Sequence, residues 1–165
     1  MHKSIYYAIL AFFCIGLSAA SAQADPVVQY VSDEAVMRTA STQGAATAGQ
    51  PLAEGDTIAV DGPGYAVVTD AEQDLHVRVE AYSETRYMGK REGRVERFSV
   101  PRGKVRFTIK PGRLLEVKTP HMVASVRGTE FTTDVTDTAT ELTVDSGVVQ
   151  AVDSDGASEN VSGGG

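Results

Sequence analysis

The sequence has 165 residues with 22 acidic against 15 basic side chains, a formal net charge of −7. That length allows one domain with a modest core. The acidic balance argues against nucleic acid as a partner, and the one cysteine, Cys14, excludes a disulfide framework.

In chain order, the first element is a leader, MHKSIYYAILAFFCIGLSAASAQA. Lys3 opens it, Ile5 to Leu17 forms an apolar centre, and Ala22-Gln23-Ala24 fits an A-x-A cleavage site. The apolar centre is too short to span a bilayer comfortably, and no later segment is apolar enough to do so. Cleavage after residue 24 would remove Lys3 and Cys14. It would leave 14 basic against 22 acidic residues and no thiol.

Beyond the leader, short runs of Val, Thr, Ile, Phe and Tyr alternate with Gly, Pro and Asp turns. Asp33 to Thr39 is the best helical candidate, and it reads equally as a strand. Gly44 to Gly49 reads as a loop. Strands are predicted at 66–69, 75–82 and 105–110, the last two alternating with period two as half-buried strands do. Further strands follow at 114–119, ending before Pro120, and at 131–135, 141–144 and 148–152. Turn signals arrive about every 8–12 residues, the spacing of an all-β domain. The predicted organisation is a leader over 1–24, a strand-and-loop lead-in over 25–49, a β domain over 50–152 and a flexible Ser/Gly/acid tail over 153–165. The domain is expected to be a sandwich or a short solenoid-like stack of antiparallel strands.

Charge clusters between Arg86 and Arg113, with ten basic residues and two acids. Such a run either answers acidic neighbours across strands or presents a basic face to an anionic partner. Arg86, Arg91, Arg94, Arg97, Arg102 and Lys104 are the candidate residues of that face.

Little in the sequence points to catalysis. There is no Gly-x-Ser-x-Gly elbow and no phosphate-cradling or calcium loop. A metal site would need His76 and His121 adjacent in space with carboxylates nearby, and none is assigned. Asp56, Asp61, Glu80 and Glu130 are the acids a paired-carboxylate hydrolase would draw on, but the chain has no tryptophan to build a sugar platform. The expectation is a non-enzymatic protein without a cofactor.

The least ordinary stretch is VKTPHMVASVRGTEF, residues 117–131. Proline keeps Thr119 extended, Met122 to Val126 suits a buried strand, and Gly128 inside a strand pattern marks a corner. Arg127 is expected to tie that corner with its planar set of donors, direct contact with a ligand being the other reading.

On these residues the sequence resembles the FecR family of bacterial envelope domains. The resemblance rests on Thr119-Pro120, then Val126-Arg127-Gly128-Thr129 with Phe131, then Gly147-Val148-Val149. Upstream, Gly55-Asp56-Thr57-Ile58 is similar to that family's Gly-Asp-x-Ile entry, and Gly103-Lys104-Val105 to its Gly-x-Val element. The resemblance spans roughly residues 49–152. It implies an all-β protein-binding or regulatory domain in the periplasm or on the surface of a Gram-negative bacterium, linked to signal transduction. The partner it implies is an envelope protein; an anionic envelope polymer, bound by a surface-assembly component, is the other reading. In the best-known members the domain belongs to a membrane-spanning anti-sigma regulator, whereas this sequence begins with a leader.

Overall fold

A computed structural model describes residues 26–39 and 41–164. The predicted leader and its cleavage site lie outside the described residues.

Fourteen strands make up the described chain. They are β1 (Val27–Val31), β2 (Ala35–Arg38), β3 (Gln43–Ala45), β4 (Thr57–Val60), β5 (Ala66–Thr69), β6 (Leu75–Val79) and β7 (Ser83–Arg91). After these come β8 (Val95–Ile109), β9 (Leu114–Lys118), β10 (Met122–Arg127), β11 (Glu130–Val135), β12 (Thr140–Ser146), β13 (Val148–Asp153) and β14 (Ser158–Ser162). The burial of β6, β7 and β11 alternates residue by residue, as a strand with one face on a core must.

The strands form two layers that share β8. Sheet A runs β1-β5-β6-β8-β11-β12, and sheet B runs β3-β2-β4-β7-β8-β9-β10-β13-β14. The first part of β8, Val95 to Ser99, pairs with β9 in sheet B. Its last part, Gly103 to Thr108, pairs with β11 in sheet A. Between them lies Pro101, which gives up a ladder donor where the strand changes layers.

A row of aromatic side chains connects the layers. Tyr87 and Phe98 of sheet B meet at 5.2 Å between ring centroids, and Phe98 meets Phe107 edge-on at 6.0 Å. Phe107 then stacks on Phe131 in sheet A at 5.0 Å. All four are buried, within one core that also takes Val28, Leu52, Ile58, Val77 and Leu115. Aromatic pairs in such geometry add about 0.5–1.5 kcal/mol each beyond the area they bury.

The fold is all-β, as the sequence predicts. It departs from the sequence reading at four places. The ambiguous segment 33–39 is strand, because Ala35 and Met37 alternate into the core. The lead-in is woven into both sheets: β1 pairs β5 in sheet A and β2 pairs β4 in sheet B, while β3 takes up Gly44 and Ala45. The pairing is not wholly antiparallel, since β8 and β9 run parallel. The predicted flexible tail carries β14, which pairs with β13 from Val148–Ser162 to Val152–Ser158 and turns one partly buried side chain, Val161, inward. Ser, Glu and Asn at its other positions hide that strand from a hydrophobicity pattern.

The segment 126–131 is one crossing from sheet B to sheet A. Gly128 has φ +61°, and a Cβ there would lie 2.7 Å from the Pro111 Cα. The return crossing from β12 to β13 passes Gly147, at φ +85°, where a Cβ would collide with the Thr129 side chain. The two corners therefore pack directly on each other. We expect Gly128→Val to cost about 2–4 kcal/mol, from a β-branched residue in left-handed backbone and a backbone collision. Urea denaturation would measure it, with Ser125→Val on exposed β10 as a near-neutral comparison.

Candidate functional site

The motif residues mostly hold corners. Thr119, buried, accepts hydrogen bonds through Oγ1 from the N–H of Met122 (3.1 Å) and His121 (3.3 Å). Its hydroxyl thereby takes the place of a backbone acceptor in the tight β9–β10 turn, where Pro120 presets φ. Thr140 of β12 donates to the same oxygen at 2.9 Å and meets His121 Nδ1 at 3.0 Å, tying the turn to sheet A. His76 lies in the middle of sheet A, paired with Thr69 and Thr108. Among the described residues no group of three His, Cys, Asp or Glu side chains could hold a metal ion. Val126, Thr129 and Phe131 are buried at the layer crossing.

Gly55 and Asp56 make another turn. The Asp56 carboxylate accepts the Ala53 N–H at 3.0 Å, and Gly55 N–H reaches the Tyr87 carbonyl at 2.8 Å. The remaining acids considered for hydrolysis are each engaged by arginine: Asp61 by Arg38 and Arg102, Glu80 by Arg78, Glu130 by Arg106.

The basic run is divided between two surfaces that point away from each other. Arg86, Arg91 and Arg97 turn outward from sheet B, Lys104 turns outward from sheet A, and Arg94 sits in the β7–β8 turn. Most of these charges are also answered. Arg91 meets Glu116 at 2.8 Å, Arg94 meets Glu92 at 3.8 Å and Lys104 meets Asp134 at 3.2 Å. Arg102 bridges Asp61 and Glu84 at 3.1 and 3.3 Å. Arg97 donates to the Met88 carbonyl at 2.5 Å, and Arg86 Nε donates to Thr57 Oγ1 at 3.2 Å. Sequence clustering reflects cross-strand pairing here, not one basic face.

Arg127 sits elsewhere than the sequence reading puts it. Strand alternation buries Ala124 and Val126, so Ser125 and Arg127 point out from sheet B instead of across the corner. Among the described residues, Arg127 is the one arginine whose side chain has neither a hydrogen bond nor an ion pair. It occupies a lateral row across four strands. Val95 of β8 pairs with Leu114 of β9, and Leu114 pairs with Arg127 of β10. Val148 of β13 stands one step beyond the Val126–Val149 pair. Leu114 is 38% exposed and Val148 54%, and the row borders a cavity of about 300 Å³ with the Arg91–Glu116 ion pair at its flank.

The sequence holds a faint signal for this row. Leu114-Leu115 and Val148-Val149 are apolar doublets in period-two strands, so one member of each must face out. At Val95-Glu96 the pattern inverts: Glu96 is buried, accepting from the Tyr87 hydroxyl at 2.8 Å with Lys90 at 3.2 Å, and Val95 is turned outward. A buried acid is hard to anticipate, because its cost is met only by partners brought from other strands.

The family model described as FecR protein matches residues 62–150, from the turn before β5 into β13. The chain belongs to the FecR family. The family is a regulatory one, not a family of enzymes, and its domains are typically envelope-associated. The fold is similar to two crystal structures, at 2.50 and 1.65 Å resolution, of a proposed anti-sigma factor from Parabacteroides distasonis. Each is 18% identical with a TM-score of 0.56, covering 65% of this chain and 51% of the other. The chain thus aligns with about half the length of those proteins. No curated protein matches the sequence.

Two outcomes follow from this geometry. Arg127→Ala should leave unfolding free energy unchanged within about 0.5 kcal/mol, since the side chain ties nothing; a larger loss in urea denaturation would restore the corner role. Asp74 is held below the usual carboxylate range by a hydrogen bond from Lys110, with the Lys110 and Arg113 charges adding to it and partial burial opposing. A depressed folded-state value stabilises the fold above the ordinary carboxylate range, and that stability is lost as pH falls through the depressed value. Carboxyl NMR should show Asp74 titrating low, and Lys110→Met should move it back up.

Proposed function

We propose that this FecR domain is an exported, non-enzymatic regulatory module that acts in the bacterial envelope by binding a protein. The row Val95–Leu114–Arg127–Val148 carries the reading. Exposed apolar side chains grouped around one cation that has no internal partner among the described residues are what a protein interface needs before it closes. Membership of the FecR family and likeness to a proposed anti-sigma factor support a place in signal transduction. The leader, with its Ala22-Gln23-Ala24 site, supports export to the periplasm or cell surface. Binding of an anionic polymer through the basic run has less behind it, because those charges are divided between two surfaces and largely paired.

A photoreactive side chain at position 148 or 114 should give a protease-sensitive adduct of fixed mass in intact cells. The same group at Thr132, on the outer face of sheet A, should give none. Equal labelling at 148 and 132, or fractionation of the chain with the cytosol, would count against this function.

A further inference from the structure

We infer that the row on the outer face of sheet B takes a protein segment in which a carboxylate is flanked by apolar side chains, the carboxylate meeting Arg127. The inference rests on the reading of this domain as a protein-binding module and adds the chemistry of what it binds.

Three observations point to that occupant. The first is charge. In a chain with more acids than bases, internal acids answer nearly every arginine. Arg127 is left without one among the described residues, although Glu116 lies on the neighbouring strand β9 and Glu130 follows three residues on in the chain, at the start of β11. Glu116 is taken by Arg91 and Glu130 by Arg106. A guanidinium is weakly hydrated and forks onto carboxylates, so an incoming acid gains two charge-assisted bonds.

The second is what surrounds the cation. Leu114 stands directly across β10 on one side and Val148 on the other, with Val95 beyond Leu114. Apolar neighbours lower the local dielectric once a partner covers them, which strengthens the central ion pair. A sugar-acid polymer would bring hydroxyls onto these side chains and forgo that gain.

The third is size. Four strands spaced about 4.8 Å apart place Val95 about 14 Å from Val148, a span of four to five extended residues. A short segment therefore covers the row without needing the edge strands.

The test uses protein purified from cells expressing the full sequence, selected against a displayed library of random octapeptides. The expected result is enrichment of peptides with Asp or Glu between apolar residues. Enriched peptides should bind about tenfold or more weakly to Arg127→Gln, the size of one charge-assisted contact. Val148→Thr should weaken them as well, and amide NMR shifts should centre on Leu114, Arg127 and Val148. Polygalacturonate should not compete. Enrichment without acidic preference, equal binding to Arg127→Gln, no enrichment, or displacement by polygalacturonate would each overturn the inference. Any of these alongside a protein adduct at position 148 in cells would leave the binding-module reading standing and remove only the acidic occupant.

Discussion

A chain that must visit two β layers repeatedly can do so only where its backbone turns tightly without a side chain in the way. Gly128 and Gly147 are two such points, and they touch: the Thr129 side chain lies against Gly147, and Pro111 closes on Gly128. Around them β8 passes from sheet B to sheet A, and the Tyr87–Phe98–Phe107–Phe131 row fills the space between the layers. Moving either corner would pull Phe131 off Phe107 and shift the β10 register against β9 and β13. The outer-face row depends on that register, because it is assembled from single residues on four strands.

Electrostatics in this domain is mostly internal. Arg38 and Arg102 share Asp61 and Glu84, and Arg113 reaches the buried Asp70 and Glu96. Most of the Asp61 and Glu84 pairs are exposed enough that each contributes at most about 1 kcal/mol. Their larger effect is to remove charge from the surface, so Arg127, whose side chain has neither an ion pair nor a hydrogen bond among the described residues, stands out. Arg127 belongs to the motif that marks the family, yet the fold does not use its charge. The neighbouring motif residues Val126, Gly128, Thr129 and Phe131 are used by the fold.

The motif TP…VRGT-x-F is legible as structure because its parts act locally. A threonine hydroxyl closes a turn, proline sets an angle, glycine permits a left-handed residue. The same locality explains where sequence reading goes astray. Alternation assigns Val126 inward, and one step along the strand puts Arg127 outward, so its tie across the corner cannot form. The basic run from Arg86 is dense in sequence, but β8 carries its two halves to opposite outer faces. The tail has only Ala157 and Val161 as apolar residues and still pairs, since β13 offers an open edge and backbone pairing needs no particular side chain.

By itself the sequence determined the all-β class, the turns, most of the strands and the family, all of which follow from period-two alternation and from residues that restrict their own backbone. Tertiary structure alone decided which strands are neighbours, that β8 and β9 run parallel, that Glu96 is buried and that Arg127 lies between Leu114 and Val148. Those facts depend on cross-strand register between segments far apart in the chain. Register is fixed by how the two layers close over one core, and no local pattern records it.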